Sequence, residues 1–439
     1  MEYPLGKPAA LRRSNGPSRG FIEILLMSRI RGVSAVVAVA VLAAMIVAPS
    51  RVTALEIGPE ADLCAEINAL SPGNELVLRP GEYQGPCVIR GGGEPGAQVV
   101  IRAADPTHRP RIVYGGRTAN VLEVRASHVT IRGLEFGPTQ SDVDAVRIFA
   151  ASDVMIEDCY FIQMGGIAVA ANHSNVRRLV VRHNVIRDSL ATAMYFGCHN
   201  GVGCRLTGLV VEGNFIQGVT SPDPEIGYGM QVKLNSVAII RDNIIVNTKG
   251  PGIMVYGSRD LVGVNLVERN VTIGSRTSSG IVVGGGPAII RNNVSTSNEQ
   301  SGIGLEDYQK RGLLRAIAIA NNTLYKNGTG GVAMPATGIS GVTIVNNAAY
   351  AGDGTRAYPA MQKGLRMAGN IDCTTLPCFA NPEKNDFSPF AGSLLKGSGV
   401  LWSESWMPRE DLFGVLRGFP PAAGAIERPS RPISLTPQP

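Results

Sequence analysis

The stretch that decides the fold is Leu179-Val-Val-Arg-His-Asn184-Val-Ile, because the chain repeats it. Leu209-Val-Val-Glu-Gly-Asn214-Phe-Ile, Ala238-Ile-Ile-Arg-Asp-Asn243-Ile-Ile and Leu266-Val-Glu-Arg-Asn270-Val-Thr-Ile follow it. Ile289-Ile-Arg-Asn-Asn293-Val, Ile317-Ala-Ile-Ala-Asn-Asn322-Thr-Leu and Val342-Thr-Ile-Val-Asn-Asn347-Ala continue the series. Two earlier copies, Val129-Thr-Ile-Arg-Gly-Leu134 and Val154-Met-Ile-Glu-Asp-Cys159, place another residue in the Asn slot. Each unit also has a second short strand that opens on glycine: Gly166-Ile-Ala-Val, Gly229-Met-Gln-Val, Gly252-Ile-Met-Val, Gly280-Ile-Val-Val, Gly302-Ile-Gly-Leu and Gly331-Val-Ala-Met. Ala193-Met-Tyr-Phe fills that slot once. Strands of three to five residues with alternating apolar positions cannot bury their inner face alone, so units of this kind stack into a solenoid. Stacking brings equivalent turn residues into register. Asn suits such a turn through its tolerance of left-handed backbone and an amide that can bond the next Asn. The Leu-x-x-Leu-x-Leu period of leucine-rich repeats is absent, and propeller blades are longer. The expectation is an all-β, right-handed parallel β-helix of about ten rungs over residues 75–370.

Composition agrees. Glycine numbers 53, aromatics make up 5% and charged residues 17%, which suits short strands and tight turns rather than long helices. The net charge of +6 is carried largely before residue 55, where Arg12, Arg13, Arg19, Arg29, Arg31 and Arg51 outnumber Glu2 and Glu23. The remainder is close to neutral, which argues against a nucleic-acid partner. Residues 33–48 are almost purely apolar, follow Met27-Ser28-Arg29-Ile30-Arg31 and precede Val52-Thr53-Ala54. That is the layout of a secretory signal cleaved after Ala54, with Met27 the expected start, and the apolar run is short for a membrane span. A periplasmic or secreted chain is therefore expected, with no stable membrane insertion.

Export permits disulfides. The seven cysteines fall into three local pairs, Cys64 with Cys87, Cys198 with Cys204 and Cys373 with Cys378, leaving Cys159. Local pairing is the simplest arrangement, although spacing does not fix connectivity.

On these repeats the chain resembles the pectin-lyase-like superfamily of right-handed parallel β-helices over roughly residues 60–427. Pro72-Gly-Asn-Glu-Leu-Val-Leu-Arg-Pro-Gly-Glu-Tyr83 is similar to the family's opening strand with its Pro-Gly and aromatic, and residues 61–70 read as a short capping helix. Asn385-Asp-Phe-Ser-Pro-Phe-Ala-Gly-Ser-Leu-Leu resembles a segment found after many such helices, with Leu395 where Pro is common. Asp411-Leu-Phe-Gly414-Val-Leu-Arg417 and Gly424-Ala-Ile-Glu427 are similar to the tail that follows it. Residues 371–427 are expected to form the C-terminal cap and 428–439 a disordered tail.

Function has to be read from side chains, since a fold does not fix it. Alternation puts Ile167/Val169, Met194/Phe196, Met230/Val232 and Ile253/Val255 inward on the Gly-strands. One outward column then reads Ala168, Tyr195, Gln231, Met254, Val282 and Gly304, with Arg147 one rung earlier. The next reads Ala170, Gly197, Lys233, Tyr256, Gly284 and Glu306. Insertions at 197–205 and 219–227 beside these rungs would wall a groove. A linear acidic polysaccharide is the expected partner. Lys233, Tyr195, Arg147 and His199 are the candidate catalytic residues, and Gln231, Tyr256, His173 and Glu306 the candidate substrate contacts. Lys233 or Tyr195 would act as base or acid and Arg147 would neutralise a uronate, the logic of a lyase or a C5 epimerase. Outward Lys, Gln and Tyr are equally at home as solvated surface, and a non-catalytic glycan-binding protein fits the same face. Asp142 and Asp144 could hold Ca2+ or form a glycosidase pair. The runs Asn-Thr-Asp, Gly-His-Gly and Asp-Pro-His-Asp, which mark polygalacturonases and alginate epimerases, are absent. His108, His128 and His183 read as surface or structural residues.

Overall fold

The computed structural model describes residues 53–222, 227–259, 263–307, 313–352 and 354–437. The signal-peptide expectation therefore lies outside the described residues. Among the described residues, all strands but the antiparallel pair Phe379–Asn381 and Asp386–Pro389 lie in three long parallel sheets that the chain visits in turn, giving a right-handed coil of about twelve turns. Sheet I has 14 strands and contains Val129–Arg132, Leu209–Glu212 and Ala288–Arg291; sheet II has 12 and contains Tyr160–Ile162 and Phe215–Val219. Sheet III has 10, running from Cys87–Ile89 to Gly330–Ala333. The coil exceeds the expected ten rungs and begins before residue 75, where Ala54–Ile57 pairs with Glu75–Leu78 in sheet I.

Inward positions fill the coil. Met194, Phe196, Met230, Val232, Ile253 and Val255 are wholly buried, and Phe136 stacks on Phe161 at 5.0 Å in the next rung. The helix Leu63–Asn68 is capped by Asp62, whose carboxylate accepts the amides of Cys64 and Ala65. It buries Leu63 and Ile67, and so covers the apolar end of the first rungs. Tyr83 is buried and donates to the carbonyls of Ile57 and Arg79. The three expected disulfides are formed, and Cys159 is free and buried.

Between sheets I and II the Asn ladder runs from Asn184 to Asn370, each Nδ2 donating to the next Oδ1 at 2.9–3.0 Å. The left-handed residue is not the ladder Asn, as expected from the sequence, but the one before it. His183, Asp242, Arg269, Asn292, Asn321 and Asn346 have φ between 52° and 58°. That residue makes the corner, which aims the following Asn into the coil, where its amide replaces the hydrogen bonds that water would supply.

One rung position earlier, sheet I carries a charged column. Arg132, Glu157, Arg182, Glu212, Arg241, Glu268 and Arg291 stack in register with alternating sign. Glu157 is 3% exposed and binds both Arg132 and Arg182.

The outward column of sheet II is apolar through Val185, Phe215, Ile244, Val271 and Val294, because the C-terminal segment folds back over it. Phe379, Phe387, Leu395, Leu412 and Ile426 pack there. Arg417 clamps the segment: it binds Glu427 at 3.2 Å and Asn292 at 2.6 Å and is 5% exposed. Ile433 and Leu435 continue this packing. Ile433 is 8% exposed and donates its amide to Asn385, since an apolar column remained to be covered.

Candidate functional site

The candidate face is the outside of sheet III. Its ladder places Arg147, Ala170, Tyr195, Gln231, Met254, Val282 and Gly304 in one column. Ala170, not Ala168, is the member from its rung: the strand is Val169–Ala171, so Gly166 and Ile167 belong to the turn and the inward pair is Val169 and Ala171. Backbone bonds extend the ladder into a second column of Phe149, Gly197, Lys233, Tyr256, Gly284 and Glu306.

Two groups form on this face. In the first, the Lys233 ammonium lies 4.1 Å from the Tyr256 ring centroid and 5.3 Å from that of Tyr195. Its Nζ donates to Gln231 Oε1 at 3.2 Å. Tyr195 Oη is 3.4 Å from His199 Nδ1, in the loop that Cys198 and Cys204 close. Lys233 is 4% exposed, Gln231 3% and Tyr256 2%, so these are not solvated surface residues. Tyr256 packs with Leu234, Met254 and Val282 in a small apolar cluster on the outside of the sheet, joined by Tyr228. A cation between two ring faces in such surroundings is held more firmly than one in water. Tyr195 is half-buried and His199 exposed, so this pair forms the accessible edge of the group.

The second group lies apart from it. Ala170 intervenes between Arg147 and Tyr195, a separation of roughly 10 Å at two strand spacings. Arg147 is paired with Asp144, through Nε at 2.7 Å and through Nη2. Asp144 Oδ1 accepts the Ile167 amide at 2.8 Å, so both its oxygens are engaged. Burial pushes the Asp144 carboxyl above its usual range, opposed by Arg147. Asp142 is exposed, with φ 64° and a bond from Ser141. Among the described residues no cluster of three or more His, Cys, Asp or Glu suits a metal.

His173 stacks on Phe149 at 5.8 Å, and the Arg125 guanidinium lies 4.6 Å from the Phe149 ring centroid. Burial, and next the charge of Arg147, hold His173 below the ordinary histidine range. Glu306 lies three rungs from Lys233, on a cleft of about 460 Å³ that also touches Met334 and Thr337. Its side chain is exposed, yet desolvation raises its carboxyl. Sequence reading missed Phe149, Tyr228 and Leu234. Phe149 was findable as the occupant of the Lys233 column, whereas Tyr228 and Leu234 lie in turns and are placed only by the fold.

The family model for the right-handed beta helix region matches residues 200–369. No curated protein sequence matches the chain. The polysaccharide lyase Pedsa3628 of family PL6 from Pseudopedobacter saltans is similar in fold, with a TM-score of 0.51 and 11% identity over 80% of this chain and 100% of that one. A variant of the PL6 alginate lyase AlyGC gives 0.51 and 15%, over 82% of this chain and 59% of that one. The A-module of the Azotobacter vinelandii mannuronan C-5 epimerase AlgE4 gives 0.49 and 16%, over 68% and 83%. Identities this low speak to architecture alone. The repeat, the sheet topology, the family model and the two structures at 0.51 agree on the fold: the chain is a right-handed parallel β-helix.

Proposed function

We propose that the outer face of sheet III binds an acidic polysaccharide and carries out lyase- or epimerase-type chemistry at Tyr195 and Lys233. Both reactions begin by removing the proton alpha to a uronate carboxylate, which requires a base at the carbon and positive charge near the carboxylate. The observation that carries this reading is the Lys233 ammonium held between Tyr195 and Tyr256, with His199 at the Tyr195 hydroxyl. Tyr195 and His199 stand at the accessible edge and move the proton. Lys233, positioned by Gln231, supplies the charge behind them. Asp144 already neutralises Arg147, so charge stabilisation falls to Lys233 rather than Arg147. The names of the two structures that reach a TM-score of 0.51, a polysaccharide lyase and an alginate lyase, point the same way. Three disulfides fit an exported chain, with residues 55–370 as the coil and 371–427 as its cap. A lyase leaves a carbon–carbon double bond conjugated to the carboxylate. Ultraviolet absorbance on incubation with acidic polysaccharides, compared with the Tyr195→Phe variant, tests the proposal.

One observation favours a second reading, a glycan-binding or surface-assembly protein without turnover. Lys233, Gln231 and Tyr256 are nearly sealed, as in a rigid binding platform. Binding that persists without product in the same assay selects it. A glycosidase based on Asp142 and Asp144 is not supported, since Arg147 and the Ile167 amide engage the Asp144 carboxylate.

A further inference from the structure

Away from sheet III, at the corner between sheets I and II, a cleft of about 520 Å³ opens over Tyr160. Its charges depart from the pattern of the rest of the molecule. The sheet I column alternates in sign from Arg132 to Arg291, but the rung before Arg132 carries Arg102, so two guanidiniums stack where an acid would continue the alternation. Both border the cleft. Arg102 has Glu75 beside it, at 2.8 Å, while Arg132 shares the single carboxylate of Glu157 with Arg182.

The third arginine is Arg109. Its guanidinium lies 4.2 Å from the Tyr160 ring centroid, and its polar contacts are to backbone carbonyls, those of Asp158 (3.3 Å) and Pro106. No carboxylate pairs with it among the described residues. A guanidinium has five N–H donors, so several remain for a ligand, and a stacked guanidinium loses little freedom on binding one. His183, which is exposed, also lines the cleft, 3.9 Å from Asp158. It also borders a second cleft of about 870 Å³, whose charged lining is mixed: Glu212, Asp242 and Glu410 with Arg269 and Arg431. The two clefts abut along successive rungs, which suits a linear polymer better than an isolated inorganic ion.

We infer that this corner groove is a second glycan site, distinct from the sheet III face, that takes a carboxylate-bearing sugar residue with its carboxylate on Arg109 and Arg132. The ligand class rests on the polysaccharide reading above; the site rests on the three arginines of the Tyr160 cleft, against which Asp158 is the one lining carboxylate.

Calorimetric titration of the mature chain with trigalacturonate and with trimannuronate tests this, using wild type, Arg109→Gln and Lys233→Met. The expected result is binding of at least one trimer that Arg109→Gln weakens about tenfold or more and Arg109→Lys partly restores. If Arg109→Gln lowers the unfolding temperature markedly, Arg132→Gln, at a half-exposed side chain, replaces it with the same expectation. Wild-type affinity in the arginine variants overturns the inference, as does failure of the wild type to bind either trimer. Binding lost in Lys233→Met but intact in Arg109→Gln removes the groove and leaves the sheet III face standing. The reverse pattern supports the groove even where no turnover is found.

Discussion

Lys233 and Tyr256 stand one rung apart in the same outward column, and the ammonium of the first sits 4.1 Å from the ring centroid of the second. Tyr195, one rung before Lys233, approaches the same ammonium from the neighbouring column. Three side chains from three consecutive turns thus converge on one cation. Lys233→Met keeps the aliphatic stem between the rings and removes the charge. It should lower kcat by about 10²–10⁴-fold, the range for a group acting in proton transfer or charge stabilisation, while the unfolding midpoint moves little. A variant with unchanged kcat would remove Lys233 from the mechanism.

Acid should destabilise the protein through His173. Its folded pKa is depressed by burial and by Arg147, so the unfolded chain takes up the proton first. Stability is therefore lost as pH falls through about 6.5, the unfolded value, and levels off below the folded one. Urea midpoints measured across this range should fall in wild type and stay flatter in His173→Asn. Asp153 and Glu383, held low mainly by hydrogen bonds from Arg178 and Lys326, lose their contribution only in the carboxylate range, so the two windows separate.

Replacing Asn243 with Leu would break the ladder in the middle. Asn214 would lose the acceptor for both its backbone and side-chain N–H, and Asn270 would lose a donor to its Oδ1. Orphaned buried polar groups cost about 1–3 kcal/mol each, so a loss on the order of 3 kcal/mol is expected from chemical denaturation. Asn370→Leu, at the partly buried end of the ladder, should cost clearly less.

Cys159 occupies the ladder slot before Asn184, and its amide donates to Asn184 Oδ1 at 3.0 Å. Burial pushes its thiol up to about 12, so a thiol reagent should leave it unmodified in the native state and react on unfolding. Cys159→Asn should extend the ladder by one member and leave the denaturation midpoint equal or higher. A lower midpoint would mean the slot is too small for an amide.

Arg417→Met should release the C-terminal segment. Removing one partner of a buried ion pair costs about 3–5 kcal/mol, and the Arg417–Glu427 pair is buried, with Asn292 also bound. Limited proteolysis should then cut between residues 371 and 437 while the coil remains intact.

The coil was legible because its determinants are local and repeated. Asn184 through Asn347 recur in phase, and strand alternation gave the inward set at Met194, Met230 and Ile253 correctly. Register failed at one rung, where the glycine of Gly166-Ile-Ala-Val stands in the turn and the strand begins three residues later at Val169. The burial of Lys233 could not be read from alternation, which says which side of a sheet a residue takes but not what covers that side. The Arg147–Asp144 pair is hidden for a related reason: only the turn geometry brings the two side chains together. Pro and Ser composition in the tail gives no sign of the packing that Ile433 makes over the apolar column of sheet II.

The most direct test of the account is ultraviolet absorbance of the mature chain incubated with polygalacturonate and with alginate, alongside Tyr195→Phe. The account predicts a rise in wild type from unsaturated uronate ends, or a change in uronate C5 configuration by proton NMR, and loss of either in Tyr195→Phe. Wild type that leaves both polymers unaltered, or a Tyr195→Phe variant as active as wild type, would contradict it.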